Sequence, residues 1–241
     1  MKTPRIPLHV VALLATVVLW ASAFPAIRVG LPGLGVAGLS VWRLVVASVA
    51  LAAIAPLLKV RAPQRRDVPL ILLAGVAGMT AYQVLLNWGE VHVAAGTASL
   101  LVAIAPVFSV LLSAAFLRTH LTVPTVVGSG VALLGAAVIS LSGDTSHPSL
   151  GAVVVLIAAL AQGTYHVAIK PLLARYTGFE VACYAMWSGT LFVLPLLPTA
   201  IHRLIDAPPS AIVSAIYLGV LPSAVGFVTW SYAVARQPRE R

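Results

Sequence analysis

The chain has 241 residues, of which 60% are hydrophobic and only 9% are charged, whereas soluble domains carry about 25% charged residues. A soluble fold of this size has no interior large enough for so many apolar side chains, so the composition indicates that lipid is the solvent. The net charge of +9 would suggest nucleic-acid binding in a soluble protein. In a membrane protein it is typical of basic cytoplasmic loops, and no nucleic-acid partner is expected.

Eight apolar runs of sufficient length follow one another along the chain. A membrane-spanning helix needs about 20 mainly apolar residues. Lipid offers no partner for free backbone N–H and C=O groups, so we predict an all-α integral membrane protein with about eight transmembrane helices. The first run is longer than the core of a signal peptide and is expected to remain as a permanent helix. The predicted spans are residues 8–28, 36–58, 68–89, 94–117, 123–142, 149–169, 179–199 and 210–234.

The distribution of basic residues predicts how these helices are oriented. With the N-terminus inside, the inner segments hold most of the Lys and Arg residues, and the outer loops hold only Arg203. Cytoplasmic loops are the ones that retain Lys and Arg, so we predict a multi-pass protein of the cytoplasmic (inner) membrane with both termini in the cytoplasm. Turns are expected at stretches that contain Gly and Pro, among them residues 31–35 and 142–148.

The end of the first span recurs later in the chain. Trp20–Arg28 aligns with Gln162–Lys170 at an offset of 142 residues. Further on, Gly75 aligns with Gly219 at an offset of 144 residues. Each match alone is weak because apolar helices resemble one another, but the matches occur in the same order. They indicate an internal duplication.

The duplication predicts two repeats of opposite orientation. Five spans separate the two copies, an odd number, so the second copy is expected to be inverted in the membrane. The first repeat, residues 1–143, would contain five helices, and the second, residues 144–241, would be an incomplete copy with three. Inverted repeats are typical of secondary transporters, whose substrate site lies near the midplane between the repeats.

Several sequence stretches also carry a resemblance to a known family: Trp20–Arg28, Trp42–Arg43, Gly96–Phe108, Gly135–Ile139, Tyr217–Leu221 and Trp230–Ala233. Together they resemble the EamA family of the drug/metabolite transporter superfamily. The resemblance implies ten helices in two inverted five-helix repeats that move small metabolites through a central cavity. Against that pattern, the chain is expected to lack the last two helices. A fragment, a shortened gene and a homodimer that completes the cavity wall all remain open.

Polar side chains within the predicted spans are candidates for substrate binding, because placing them in lipid is costly. Arg43 lies about 10 Å into the second helix at 1.5 Å per residue, and its role is either structural or the recognition of a substrate carboxylate or phosphate. Gln83, Asn87 and Glu90 share one face of the third helix, beside Tyr82. They either line the cavity or hold helices together, and Glu90 is expected to be solvated near the outer interface.

The sixth helix and the aromatic residues supply the other candidates. His166 shares a face with Gln162 and is either a packed hydrogen-bonding residue or a proton-coupling group, since imidazole titrates near neutral pH. No metal ligand lies one turn from His166, so no metal site is predicted. Arg28 and Lys170 are expected to be gate residues or cations that reach the membrane interface. The aromatic candidates, which either stack on a substrate or only pack, are Trp20, Tyr184, Trp187 and Trp230.

These features predict a secondary transporter, favoured as an exporter, of small organic metabolites such as amino acids or drugs by alternating access. Its partners would be the metabolite and the lipid bilayer. No enzyme activity and no cofactor are expected, because the sequence has no phosphate-binding Gly-rich loop and no nucleophile elbow. Two alternatives remain open. One is a membrane-embedded lipid-processing enzyme, for which Asp144 and His147 form the only close pair, and the other is a truncated membrane subunit without transport activity.

Overall fold

The computed structural model describes residues 7–117, 121–141 and 149–236. Every regular element in these ranges is helical, as predicted. The predicted turn at residues 142–148, with Asp144 and His147, lies outside the described residues, as do the first six and the last five residues. The α-helices are α1 (Leu8–Ile54), α2 (Val68–Ala74), α3 (Tyr82–His92), α4 (Ala95–Val102), α5 (Ala105–Leu117), α6 (Val123–Leu141), α7 (Leu150–Leu172), α8 (Gly178–Val193), α9 (Leu197–Ile205), α10 (Pro209–Leu218) and α11 (Gly226–Val234).

In the described residues, 6 helical segments are long and apolar enough to cross a membrane. A shorter apolar helix, Val123–Val138, covers the fifth predicted span. The first two predicted spans lie together in α1, so all eight predicted ranges are largely helical, while the number of membrane crossings stays a prediction. The candidate spans are Leu8–Ile54, Arg65–His92, Ala95–Leu117, Leu150–Leu172, Gly178–Ile205 and Pro209–Val234.

The turn predicted at residues 31–35 is a bend at a single residue. The helix continues through Pro32, and only Gly35 leaves helical dihedral angles, with φ 65° and ψ 178°. This region of backbone conformation is open essentially to glycine alone. The bend divides α1 into a first arm, residues 8–34, and a second arm, residues 36–54. The prediction of a longer turn was therefore wrong, because a one-residue bend leaves fewer backbone groups without partners in lipid.

Three antiparallel helix pairs organise the protein. The first arm of α1 packs on α10 and α11, the segment from α2 to α3 packs on α7, and the second arm of α1 packs on α8 and α9. Contacts near both ends of each pair define these directions. They are Thr16–Thr229 (2.7 Å) and Ser22–Tyr217 (2.7 Å) for the first pair, Asp67–Tyr176 (2.8 Å) and Gly89–Val155 for the second, and Trp42–Ala200 (3.1 Å) and Ser48–Thr190 (2.7 Å) for the third.

Two wide helical turns occur at aligned positions. Gly75–Ala81 and Gly219–Val225 each form a π-helical segment of 7 residues. Such segments are rare in proteins and are often found at functional sites. Both begin at one of the aligned glycines, and each links two α-helices into one continuous rod, α2 to α3 and α10 to α11.

The two aligned glycines make corresponding contacts. A Cβ atom on Gly75 would lie 2.9 Å from the carbonyl oxygen of Ala185, and one on Gly219 would lie 2.8 Å from that of Arg43. Ala185 follows Arg43 at the same 142-residue offset that relates Arg28 to Lys170. Each glycine therefore allows its wide turn to approach the backbone of the opposite half.

A polar network ties the loop after α1 to the start of α8. Arg61 Nε donates to Glu180 Oε1 at 2.8 Å, and Glu180 also accepts from the Thr177 backbone at 2.8 Å, which completes a capping box. The hydrogen bond to Glu180 raises the pKa of the Arg61 guanidinium above its usual value. Arg175 and Asp67 form a neighbouring ion pair. Two loops that the charge distribution assigns to the same side of the membrane therefore do meet.

Candidate substrate site between the helices

A narrow cavity lies where the bent α1 meets α3 and α11. It is lined by aromatic and apolar side chains and one cation: Trp20, Ala23, Phe24, Arg43, Tyr82, Leu86 and Phe227. The cavity volume is about 10 Å³, which is roughly enough for one water molecule. Three predicted site residues, Trp20, Arg43 and Tyr82, are thus brought together.

Arg43 is the charged group of this cavity, and its side chain is incompletely bonded. The residue is 2% exposed. Its Nε donates to Ser223 Oγ at 2.8 Å, whereas Nη1 has no hydrogen-bond partner among the described residues. Leaving a buried charged donor unpaired costs more than the roughly 1–3 kcal/mol of a neutral group. Arg43 can therefore offer a free donor to an anion in the cavity.

A column of buried polar groups continues from the cavity along α3. Gln83, Asn87 and Glu90 are each 0% exposed. Asn87 Nδ2 donates to Ser40 Oγ at 2.8 Å. Within the described part of the chain, both amide atoms of Gln83, the Oδ1 of Asn87 and both carboxylate oxygens of Glu90 lack hydrogen-bond partners. The column therefore presents unused acceptors on the helix that also carries the cavity residues Tyr82 and Leu86.

The expectation that Glu90 is solvated was wrong. Its side chain is fully buried, and its one ion pair is a loose one, 3.9 Å from Oε2 to the Nε of Arg28. Arg28, whose side chain is 41% exposed, also donates to the backbone oxygen of Val93 at the end of α3. Arg28 on the first arm of α1 lies over the end of α3, where it contacts both Glu90 and Val93.

A second polar and aromatic group lies on α7. His166 faces Ser109 Oγ at 3.0 Å and Gln162 Nε2 at 3.3 Å. Its ring lies 4.6 Å from the Trp230 ring and 6.4 Å from the Trp20 ring, centroid to centroid. Two predicted candidates of the second half, His166 and Trp230, therefore reach Trp20 in the first half. These hydrogen bonds agree with the interpretation of His166 as a packed residue.

Tyr184 and Trp187 lie elsewhere. They line a separate cavity of about 560 Å³ beside the loop that follows α1, together with Val60 and Arg61. Tyr184 donates to the Arg61 carbonyl at 2.6 Å, and Trp187 donates to that of Ser48 at 3.2 Å. The structure does not bring these two side chains into the Arg43 cavity.

The two predicted gate cations have different partners. Arg28 pairs with Glu90, as described above. Lys170 donates to Ser113 Oγ on α5 at 2.9 Å. In the described residues, no group of three or more His, Cys, Asp or Glu side chains is placed to hold a metal ion.

Sequence reasoning did not single out Ser223 or Phe227. Ser223 is a buried serine within the π-helical segment and the partner of Arg43. Phe227 lines the cavity and packs on Trp20, with ring centroids 5.2 Å apart. The one signal available was position: Phe227 aligns with Gln83 at the 144-residue offset, so the alignment could have assigned it to the same site.

Comparison with known proteins identifies the family. The model of the EamA-like transporter family matches twice, at residues 8–141 and 149–238. The chain belongs to this family. No solved structure gives a significant match.

Named relatives are transporters. The chain is 65% identical over 225 residues to a "probable terminal-alkyne amino-acid exporter" of Streptantibioticus cattleyicolor, covering 93% of this chain and 76% of that protein. It is 38% identical to the uncharacterized transporter YdfC of Bacillus subtilis, over 90% of this chain and 71% of the relative. A "probable amino-acid metabolite efflux pump" of Escherichia coli is 28% identical, over 92% and 77% of the two chains.

Proposed function

We propose that this protein is a secondary transporter that exports small amino-acid-type metabolites across the cell membrane by alternating access. Its two inverted repeats would be residues 1–143 and 144–241, with both termini in the cytoplasm. The observation that carries the proposal is Arg43, a buried cation with a free donor between the two halves of a chain from a transporter family.

The repeat arrangement is supported by independent features of the fold. The family model matches each half separately. The π-helical segments begin at aligned glycines and have equal length. Ser48 and Thr190, which are 142 residues apart, contact each other at 2.7 Å. Contact between two aligned positions is expected at a two-fold axis that relates the repeats.

An amino acid fits the chemistry of the site. Its carboxylate would accept from Arg43, since arginine is well suited to bind carboxylates. Its ammonium group would donate to the unused acceptors of Gln83 and Asn87. A small apolar side chain would pack against Trp20 and Phe227. The relative that is 65% identical is named for amino acids with a terminal alkyne, and we propose this substrate class here as well.

The narrowness of the cavity agrees with alternating access. A space for about one water cannot hold an amino acid, so binding requires the two halves to separate. Rocking one repeat against the other opens such a cavity to one side of the membrane at a time.

The test is counterflow in proteoliposomes. Vesicles loaded with unlabelled L-propargylglycine, an amino acid with a terminal alkyne, are diluted into labelled L-propargylglycine, and labelled uptake is followed. We expect uptake above that of protein-free vesicles, retention of this uptake in Asp206→Asn, an exposed loop residue, and its loss in Arg43→Met. Absence of counterflow with L-propargylglycine and with the common amino acids would contradict the proposal.

A further inference from the structure

The three acidic residues in the described candidate spans differ in how their carboxylates are bonded. Asp67 accepts from Tyr176 and pairs with Arg175. Glu180 accepts from Arg61 and from the Thr177 backbone. The third acid, Glu90, accepts no hydrogen bond from any described residue.

Glu90 is fully buried, and neither carboxylate oxygen accepts a hydrogen bond from any described residue. A buried carboxylate is tolerated when it is paired and hydrogen-bonded, and otherwise it takes up a proton. One ion pair at 3.9 Å with a half-exposed arginine does not satisfy two buried oxygens. Asp67 and Glu180 are therefore held by structural contacts, whereas Glu90 is a buried acid whose carboxylate the described residues leave without a hydrogen-bond donor.

Among the described residues, charged and titratable groups face Glu90 from α1 and from its own helix, α3. Arg28 approaches it from the first arm of α1, and Arg43 on the second arm lies within electrostatic range. On its own helix, Tyr82 lies towards the cavity and His92 towards the helix end. The neighbouring α4 carries no titratable residue. The titratable groups of α7 lie further along the same rod, where Tyr165 packs against Gly78 in the π-helical segment that precedes α3.

We propose that Glu90 is the proton-binding site that couples export to the proton gradient, with the proton exchanging against the ammonium group of the substrate. This inference rests on the proposed transport function. In one half of the cycle Glu90 is ionised and, with the acceptors of Gln83 and Asn87, favours a substrate ammonium. In the other half Glu90 carries the proton, its O–H bond replaces the negative charge, and the ammonium is released.

The direction of coupling follows from charge. The column from Gln83 to Glu90 extends about 10 Å along α3, and charges interact strongly over such distances in a site of low dielectric constant. A proton on Glu90 and a substrate ammonium therefore disfavour each other, which is the condition for exchange. Arg28 balances the charge of the ionised carboxylate. Because the Arg28 side chain is partly exposed, a proton reaches Glu90 along it from the end of α3.

The experiment compares exchange with gradient-driven accumulation in the same proteoliposomes. The membrane potential is clamped at zero, and the vesicle interior is made one pH unit more acidic than the outside. For one proton exchanged per substrate, wild-type protein should accumulate labelled L-propargylglycine about tenfold, because one unit corresponds to 1.36 kcal/mol. Glu90→Gln should lower counterflow at equal pH, because it removes a charge that favours the substrate ammonium, and it should abolish accumulation under the pH gradient. Glu90→Asp should restore accumulation, and Asp206→Asn should accumulate like wild type.

The outcomes separate the two proposals. Wild-type counterflow without any accumulation under the pH gradient would overturn the coupling inference and leave the transport function standing. Accumulation that persists in Glu90→Gln would also overturn it. If Glu90→Gln also loses counterflow, infrared difference spectra between acidic and alkaline buffer test whether Glu90 binds a proton. A protonated-carboxyl band that is present in wild type and missing from the variant supports the proton site, and an identical band in both overturns it.

Discussion

The two proposed repeats share their scaffold but differ in their chemistry. Gly75 and Gly219 begin matching π-helical segments and make corresponding contacts with the opposite half. At other aligned positions the residues differ in kind. Arg43 aligns with Ala185, Gln83 with Phe227 and Glu90 with Val234. Packing constrains both copies in the same way, whereas a substrate that is not itself symmetric does not require the same polar ligand from both.

This comparison predicts that chemical changes in the first repeat reduce transport far more than they reduce stability. Arg43→Met removes the charge and makes that position apolar, like Ala185 in the other repeat. Hydrogen bonds to charged groups contribute about 1.5–3 kcal/mol, so kcat/KM for counterflow should fall about 10- to 150-fold. Arg43→Lys keeps the charge but loses the planar guanidinium, so its kcat/KM should lie between the values of the wild type and Arg43→Met.

Two controls accompany the Arg43 variants. Size-exclusion profiles in detergent should match that of the wild type, and Ala185→Ser should change counterflow by less than about twofold, because Ala185 is not part of the Arg43 cavity. An Arg43→Met protein with wild-type counterflow would show that the cation serves packing alone.

Changes to the shared scaffold should instead lower the stability of the protein, whichever repeat carries them. Gly75→Ala and Gly219→Ala each force a methyl group against the backbone of the opposite half. Overpacking of this kind costs about 1–3 kcal/mol, and both variants should therefore melt at lower temperature in detergent. Gly128→Ala is the matched control, because a Cβ there meets nothing within 4 Å in the described structure.

The two shifts in melting temperature test whether both π-helical segments pack closely against the opposite half. Both variants should melt at lower temperature, and Gly75→Ala should show the larger shift, because its Cβ would overlap Ser188 Oγ more closely than that of Gly219→Ala would approach its nearest atom, at 2.7 Å on Val46. A large shift for one variant and none for the other would indicate that only one of the two glycines is needed for close packing against the opposite half.

The sequence predicts much of this molecule because lipid leaves the backbone few choices. Residues 8–28 could be assigned to a helix from apolarity alone, since every N–H group in lipid must be bonded within the segment. Arg43, Gln83 and Asn87 could be selected as candidates because polar groups are rare in such segments. The polar column at i, i+4 and i+7 is a property of one helix and needs no tertiary information.

What the sequence could not supply is how each helix is rotated and what covers it. Glu90 was expected at the interface because its position along α3 was known, whereas the packing of the first arm of α1 against the end of α3 was not. Tyr184 and Trp187 lie on a predicted span, yet they face the loop after α1 because packing of α8 on the second arm sets that direction. These features depend on contacts between residues far apart in the chain.

A smaller effect is expected at the polar network outside the repeats' shared cavity. Arg61→Gln removes two side-chain hydrogen bonds to Glu180, but the Arg61 side chain is 61% exposed, so the loss of stability should be small. The pKa of Arg61 is raised in the folded protein, so its contribution is fully present below its unfolded pKa. The difference in melting temperature should therefore be constant from neutral to mildly alkaline pH, and a steep change in that range would contradict this assignment.

The smallest effect is predicted where the two repeats meet at aligned positions. In alternating access by inverted repeats, each repeat can adopt the conformation that the other had before. A contact between two residues in one state is then replaced, in the other state, by a contact between the two residues that align with them. Ser48–Thr190 is converted into itself, so its separation should be the same whichever side is open. A disulfide between Ser48→Cys and Thr190→Cys, made in a Cys183→Ala background, should therefore leave counterflow within about twofold of the reduced protein. Restoration of transport only after reduction would show that the repeats do not exchange conformations about this axis.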